Sequence, residues 1–227
     1  MTDLLLIRHA TNDWVGDRLA GWTPGVHLNE PGLSQATSLA DRLAAWPIRA
    51  IYSSPLERAV ETALAVAGRH GLEVQIEEGV GESHYGDWTG QSIKDLAKTP
   101  EWLQVQFTPG LARFPNGEAL GEMQARAVAA VERLRRLHPD GVMAIFSHAD
   151  VIKAVAAYYA GMPFDLFQRL VIDTASVTWV RFTPHGPRIM RLNDTGVLEP
   201  PKPEAANDQP AGSSDIRNDV ASTPPTD

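Results

Sequence analysis

Residues able to act together on a small anion stand in three stretches far apart in the chain. Arg8-His9 follows the aliphatic run Leu4-Leu5-Leu6-Ile7, Arg58 lies in Ser53-Ser54-Pro55-Leu56-Glu57-Arg58, and His148 closes Val142-Met143-Ala144-Ile145-Phe146-Ser147. An apolar run that stops abruptly at a polar or charged side chain reads as a buried strand with that side chain at its exit, and open α/β sheets place ligands outside the carboxyl ends of their strands. Two arginines and two histidines gathered there make a pocket for a dianion such as phosphate. A guanidinium fork holds two phosphate oxygens and stays charged. An imidazole facing the dianion has its pKa raised and, once protonated, adds positive charge.

Phosphate-ester chemistry needs a nucleophile, neutralisation of the equatorial oxygens and a proton for the leaving oxygen. The chain has no cysteine, no Gly-x4-Gly-Lys-Ser/Thr loop, and no early strand ending in paired aspartates. Histidine remains, because a neutral imidazole nitrogen attacks phosphorus without first losing a proton and also departs readily. His9 is the candidate nucleophile, with Arg8, Arg58 and His148 around the transferred group. His27, His70, His138 and His185 show no metal-ligand spacing, and neither metal nor cofactor is expected.

The elements that must position these residues alternate. Strands are expected at Leu4–Ile7, Ala50–Tyr52, Val74–Ile76, Val142–Phe146, Ser176–Phe182 and Arg188–Leu192, and helices at Gly32–Ala45, Leu56–His70, Ser92–Ala97, Glu118–His138 and Asp150–Ala160. In the longest helix, Met123, Ala127, Ala130, Val131 and Leu134 mark one buried stripe. Strand–helix alternation predicts an α/β fold, a three-layer α/β/α sandwich around a mostly parallel sheet. Pro100–Gly117 reads as the least regular part, either a lid beside the pocket or a packed surface loop with aromatic anchors.

The 227 residues suit one domain, 1–198, followed by a tail, 199–227, rich in proline and lacking aromatics. That tail holds six acids against Lys202 and Arg217, half of the chain's formal charge of −8, and is expected to be disordered. Basic residues are scattered, so no nucleic-acid-binding face is expected. No apolar window reaches membrane-spanning length, Met1-Thr2-Asp3 has no basic leader character, and the absence of cysteine excludes disulfides; a cytoplasmic location is expected.

The chain resembles the histidine phosphatase superfamily, the phosphoglycerate-mutase-like proteins of branch 1. Leu4-Leu5-Leu6-Ile7-Arg8-His9-Ala10-Thr11 is similar to its opening strand and Arg-His-Gly. Leu28-Asn29-Glu30-Pro31-Gly32-Leu33-Ser34-Gln35-Ala36 resembles its Leu-Thr-x-x-Gly-x-x-Gln-Ala entrance, and Ser53–Ala63 its Ser-Ser-Pro-Leu-x-Arg-Ala-x-x-Thr-Ala segment. Glu82 with Tyr85-Gly86-Asp87-Trp88-Thr89-Gly90 resembles the Glu-x-x-x-Gly-x-Trp-x-Gly block, Phe146-Ser147-His148-Ala149 the closing Val-Ser-His-Gly, and Ala175-Ser176-Val177-Thr178 a late strand entry. The resemblance implies a phosphoglycerate mutase-like fold and makes Glu82 the proton donor, a role that requires a desolvated carboxyl with a raised pKa.

Some positions depart from the family pattern. Ala10 and Ala149 stand where glycines usually follow the two histidines, which is tolerable where φ is negative. Val15 replaces a phosphate-contacting asparagine; Asn12 is either its substitute or a turn residue. Asp150 is a rival donor or a helix cap, and His84 faces either the pocket or the surface. The mutases of the family carry an extra arginine pair in the insertion, where this chain has Arg113 alone. The implied function is a metal-independent phosphomonoester hydrolase working through a phosphohistidine on a small phosphorylated metabolite. The alternatives are a phosphomutase and a non-catalytic binder of phospho-ligands.

Overall fold

A computed structural model describes residues 1–196. The expected disordered tail and the C-terminal boundary of the 1–198 domain lie outside them. Strands β1 (Thr2–Arg8), β2 (Ile48–Ser53), β3 (Val74–Ile76), β4 (Gly141–Ser147), β5 (Val177–Thr183) and β6 (Gly186–Asp194) form one sheet in the order β3-β2-β4-β1-β5-β6. The first four in that order pair in parallel, and β5 and β6 add an antiparallel edge. The helices are α1 (Glu30–Leu43), α2 (Glu57–His70), α3 (Ile93–Leu96), α4 (Pro100–Phe107), α5 (Leu120–Leu137) and α6 (Ala149–Tyr159).

Alternation along β1 builds both faces of the sheet. Leu4 and Leu6 pack with Met123 and Val131 of α5 and Ile152 of α6, while Leu5 and Ile7 meet Leu39 and Leu43 of α1 and Val66 of α2. Because successive strand side chains point to opposite faces, an unbroken aliphatic run is what a strand covered by helices on both sides requires. The architecture is therefore the expected three-layer sandwich.

The parallel strands bring their exits together. Arg8 pairs with Ser147 and Ser53 with Phe146, so β1, β2 and β4 end side by side. Beyond the ladder, the His9 N–H donates to Ser147 O at 3.0 Å and the Ser54 N–H to Phe146 O at 2.9 Å. The segment after His9 is pinned against α1: the Thr11 N–H donates to Gln35 Oε1 at 2.9 Å, and Asn29 Oδ1 caps the helix by accepting from the Gly32 N–H at 3.0 Å.

Two expectations fail. Pro100–Gly117 is not an irregular loop, because α4 occupies Pro100–Phe107 and a 3-10 turn follows at Pro109–Leu111. Its signals are Thr99, whose hydroxyl accepts from the Trp102 N–H at 3.3 Å, and Pro100 in the first turn, where no N–H is needed. Asp150 does not cap α6. The cap position is His148, and Asp150 lies inside the first turn, 3.1 Å from Lys153 Nζ.

A methyl group on Gly32 would sit 2.0 Å from the Thr11 carbonyl oxygen. Gly32→Ala is therefore expected to lower unfolding free energy by about 1–3 kcal/mol in a denaturant titration. An unchanged midpoint contradicts the docking of α1 on the segment behind His9.

Candidate active site

The strand exits surround a cavity of about 170 Å³ whose wall includes Arg8, His9, Asn12, Arg58, Glu82 and Asp150. His148 is not part of that wall. It is wholly buried directly behind it, its ring centre 5.2 Å from that of His9.

The hydrogen bonds of each imidazole determine its tautomer. His9 Nδ1 lies 2.7 Å from the Ala10 carbonyl, which can only accept, so Nδ1 carries the proton and Nε2 keeps its lone pair. His148 Nδ1 lies 3.4 Å from Arg58 Nη2, which can only donate, so here Nδ1 is the acceptor and Nε2–H donates to Ser54 Oγ at 2.8 Å. Burial, with Arg58 and Arg8 nearby, holds the His9 pKa well below 6.5. Burial and Arg58, then His9, do the same for His148. In the protein by itself a third positive charge beside two buried guanidiniums is unfavourable; the expected rise in the His148 pKa belongs to the complex with a dianion.

Glu82 shows the opposite behaviour. Burial raises its pKa, opposed by Arg58 and assisted by Asp150. Its Oε2 lies 3.6 Å from His148 Nδ1, within ion-pair range. Burial disfavours charge on either partner. Oε1 accepts from the Ser83 N–H at 3.0 Å, and the nearby Tyr85 hydroxyl has its own pKa raised far, by burial first and then by Glu82.

Both arginines are anchored by one arm and leave donors over. Arg8 Nη1 donates to Ile172 O at 2.7 Å and Arg58 Nη2 to Gly21 O at 3.0 Å, while Arg8 Nε and Arg58 Nη1 are buried without a protein acceptor. A buried donor left unsatisfied costs about 1–3 kcal/mol, and an anion in the cavity wall would remove that cost. Asn12 is both things considered for it: its Oδ1 accepts from the Trp14 N–H at 2.9 Å in a turn, and the residue lines the cavity.

A family model described as histidine phosphatase superfamily (branch 1) matches residues 4–195. The chain belongs to this superfamily. Phosphoserine phosphatase 1 of Hydrogenobacter thermophilus is 31% identical over 86% of this chain and 93% of its own. A protein of Photorhabdus laumondii named "Probable phosphoglycerate mutase GpmB" is 29% identical over 82% of this chain and 87% of its own. Among solved structures, mycobacterial glucosyl-3-phosphoglycerate phosphatase Rv2419c superposes with a TM-score of 0.77 at 26% identity, covering 84% of this chain and 98% of that one.

The departures from the superfamily pattern are unstrained here. Neither Ala10 nor Ala149 has positive φ, and the Ala10 N–H donates to Thr62 Oγ1 at 3.0 Å. His84 takes the surface alternative, stacked on Trp22 at 4.6 Å. The mouth is not where the sequence placed it, since no residue of Pro100–Gly117 lines the cavity; Trp14, Val15, Arg18, Leu19 and Ile93 do. Of these, sequence reasoning had singled out Val15 alone; it missed the other four, along with Ser54 as the partner of His148 and Thr62 as the support of Ala10.

In a ¹⁵N NMR titration, His9 is expected as the Nδ1–H tautomer and His148 as Nε2–H, with neither ring titrating near pH 6.5. The unfolded chain takes up protons below about 6.5 that these buried rings exclude, so stability is lost as pH falls through that value. Glu82 acts in the opposite sense, its contribution fading as pH rises through its raised pKa. His9→Gln is expected to shrink the loss between pH 7 and 5.5 by about 1 kcal/mol; an unchanged loss contradicts a neutral His9.

Proposed function

We propose that the 1–198 domain is a metal-independent phosphomonoester hydrolase that acts through a phosphohistidine on a small phosphorylated metabolite. The observation that carries this reading is the tautomer of His9: its Nδ1 proton is held by the Ala10 carbonyl, which leaves the Nε2 lone pair free in a cavity walled by two guanidiniums.

In the first step His9 Nε2 attacks phosphorus and the bond to the ester oxygen breaks. That oxygen takes a proton from Glu82, whose pKa burial raises in the direction a donor needs. Arg8, Arg58 and Asn12 meet the equatorial oxygens, and Arg58 Nη1 and Arg8 Nε supply donors that the protein leaves unused. His148, behind Arg58, completes the phosphate site once the dianion raises its pKa. In the second step water attacks phosphorus, Glu82 accepts its proton, and the P–N bond breaks to restore neutral His9.

The mutase reading is supported by the likeness to GpmB and by Glu82-Ser83-His84-Tyr85-Gly86, which resembles the mutase block. Against it, among the described residues the only cavity-lining cation beyond Arg8 and Arg58 is the exposed Arg18, and Arg113 is paired with Glu122 away from the cavity. A cytoplasmic setting is in keeping with a chain that has no cysteine. Among the described residues no helix is long and apolar enough to cross a membrane.

Turnover of p-nitrophenyl phosphate without added metal is expected, with His9→Ala reducing kcat/KM by about 10³-fold or more. Rapid quenching should trap an alkali-stable, acid-labile phosphoryl group on the protein. Saturable vanadate binding without turnover would leave only a binder. Given 3-phosphoglycerate with 2,3-bisphosphoglycerate, the enzyme is expected to release phosphate; accumulation of 2-phosphoglycerate instead would establish the mutase.

A further inference from the structure

Glu82 stands on backbone with little regular structure of its own, just after the 3-10 turn Glu78–Val80. One guanidinium holds that backbone from behind. Arg126 Nη1 donates to the carbonyls of Gly79 at 3.0 Å and Gly81 at 2.9 Å, and Nη2 donates to the carbonyl of Glu82 at 2.8 Å. Its remaining N–H groups bind Glu118, Nη2 to Oε1 at 2.7 Å and Nε to Oε2 at 3.0 Å. All five donors of the side chain are used. Glu118 Oε1 also accepts from the His84 N–H at 2.8 Å, so one ion pair grips the chain on both sides of Glu82.

The neighbours are equally committed. Trp22 Nε1 donates to the Glu82 carbonyl at 2.7 Å, and Ser147 Oγ, next to His148, donates to Val80 O at 2.6 Å. Arg126 is not among the residues that line the cavity. Such an investment of donors in consecutive carbonyls fixes where the Glu82 Cα lies and hence how far its short side chain reaches. Proton transfer demands that reach, since a displacement of about 1 Å from productive geometry costs up to about 10² in rate.

We propose that Arg126, locked by Glu118, is a positioning residue for proton donation by Glu82, acting through the Gly79–Glu82 backbone. The inference rests on the assignment of Glu82 as donor. Lysine cannot replace it, because a single ammonium cannot span three carbonyls and a bidentate carboxylate.

The test compares kcat/KM for two leaving groups. p-Nitrophenolate departs without a proton, whereas the alkoxide of glycerol 2-phosphate needs one. Arg126→Lys is expected to lose about 10-fold to 100-fold on glycerol 2-phosphate and less than about 3-fold on p-nitrophenyl phosphate. Glu82→Gln should show the same selectivity more strongly. A role in stability alone reduces both substrates by one factor, the folded fraction, and that result overturns the inference. Should Arg126→Lys not fold, Glu118→Gln takes its place with the same expected selectivity and the same overturning result. If Glu82→Gln is itself unselective, the donor assignment fails and the inference falls with it. If only the Arg126 and Glu118 variants are unselective, the assignment stands and the inference alone is wrong.

Discussion

Two guanidinium groups buried at one cavity, Arg8 and Arg58, set the terms for every other titratable group around them. Each is removed from water, and each disfavours further positive charge nearby. The histidines answer by staying neutral, and neutrality is what gives His9 a lone pair to use. Glu82 is pulled both ways, its proton favoured by burial and disfavoured by Arg58. On the reading proposed above, a dianion would relieve the whole arrangement at once, because it would satisfy the leftover arginine donors and make a protonated His148 favourable.

The sheet makes this possible by bringing distant residues to one edge. Side-by-side exits of β1, β2 and β4 place His9, Ser54 and His148 next to one another although they are up to 139 residues apart in the chain. Helix packing then stiffens the edge from behind: Gly32 of α1 lies against the Thr11 carbonyl, and Thr62 of α2 takes the Ala10 N–H and donates to the Arg58 carbonyl at 2.6 Å. The segment around Glu82 lacks a strand to hold it, and the Arg126–Glu118 pair supplies the restraint.

What could be read from the sequence had a local signature. The strand exits were visible because aliphatic runs end abruptly at Arg8 and His148, and Glu82 was visible through its motif. What could not be read depends on partners remote in sequence. Ser54 is 94 residues from the histidine it binds, and Arg126 is 44 from the carbonyl of Glu82. Nothing in Thr99-Pro100 outweighed the crowded aromatics that hid α4, and the cap of α6 went to His148 because β4 ends at Ser147 and α6 begins at Ala149, which leaves His148 as the one residue between them. The mouth was misplaced for a related reason: an insertion is conspicuous in sequence, whereas Trp14–Leu19 is simply the continuation of the chain past His9.

Phosphoryl transfer to His9 requires that its Nε2 and both guanidiniums address one phosphoryl-sized space. A crystal structure of the vanadate complex tests it most directly. Vanadium is expected bonded to His9 Nε2, its equatorial oxygens met by Arg8 and Arg58 and its outer apical oxygen facing Glu82. Vanadium bonded through any other atom, or seated where neither guanidinium reaches its oxygens, would contradict it.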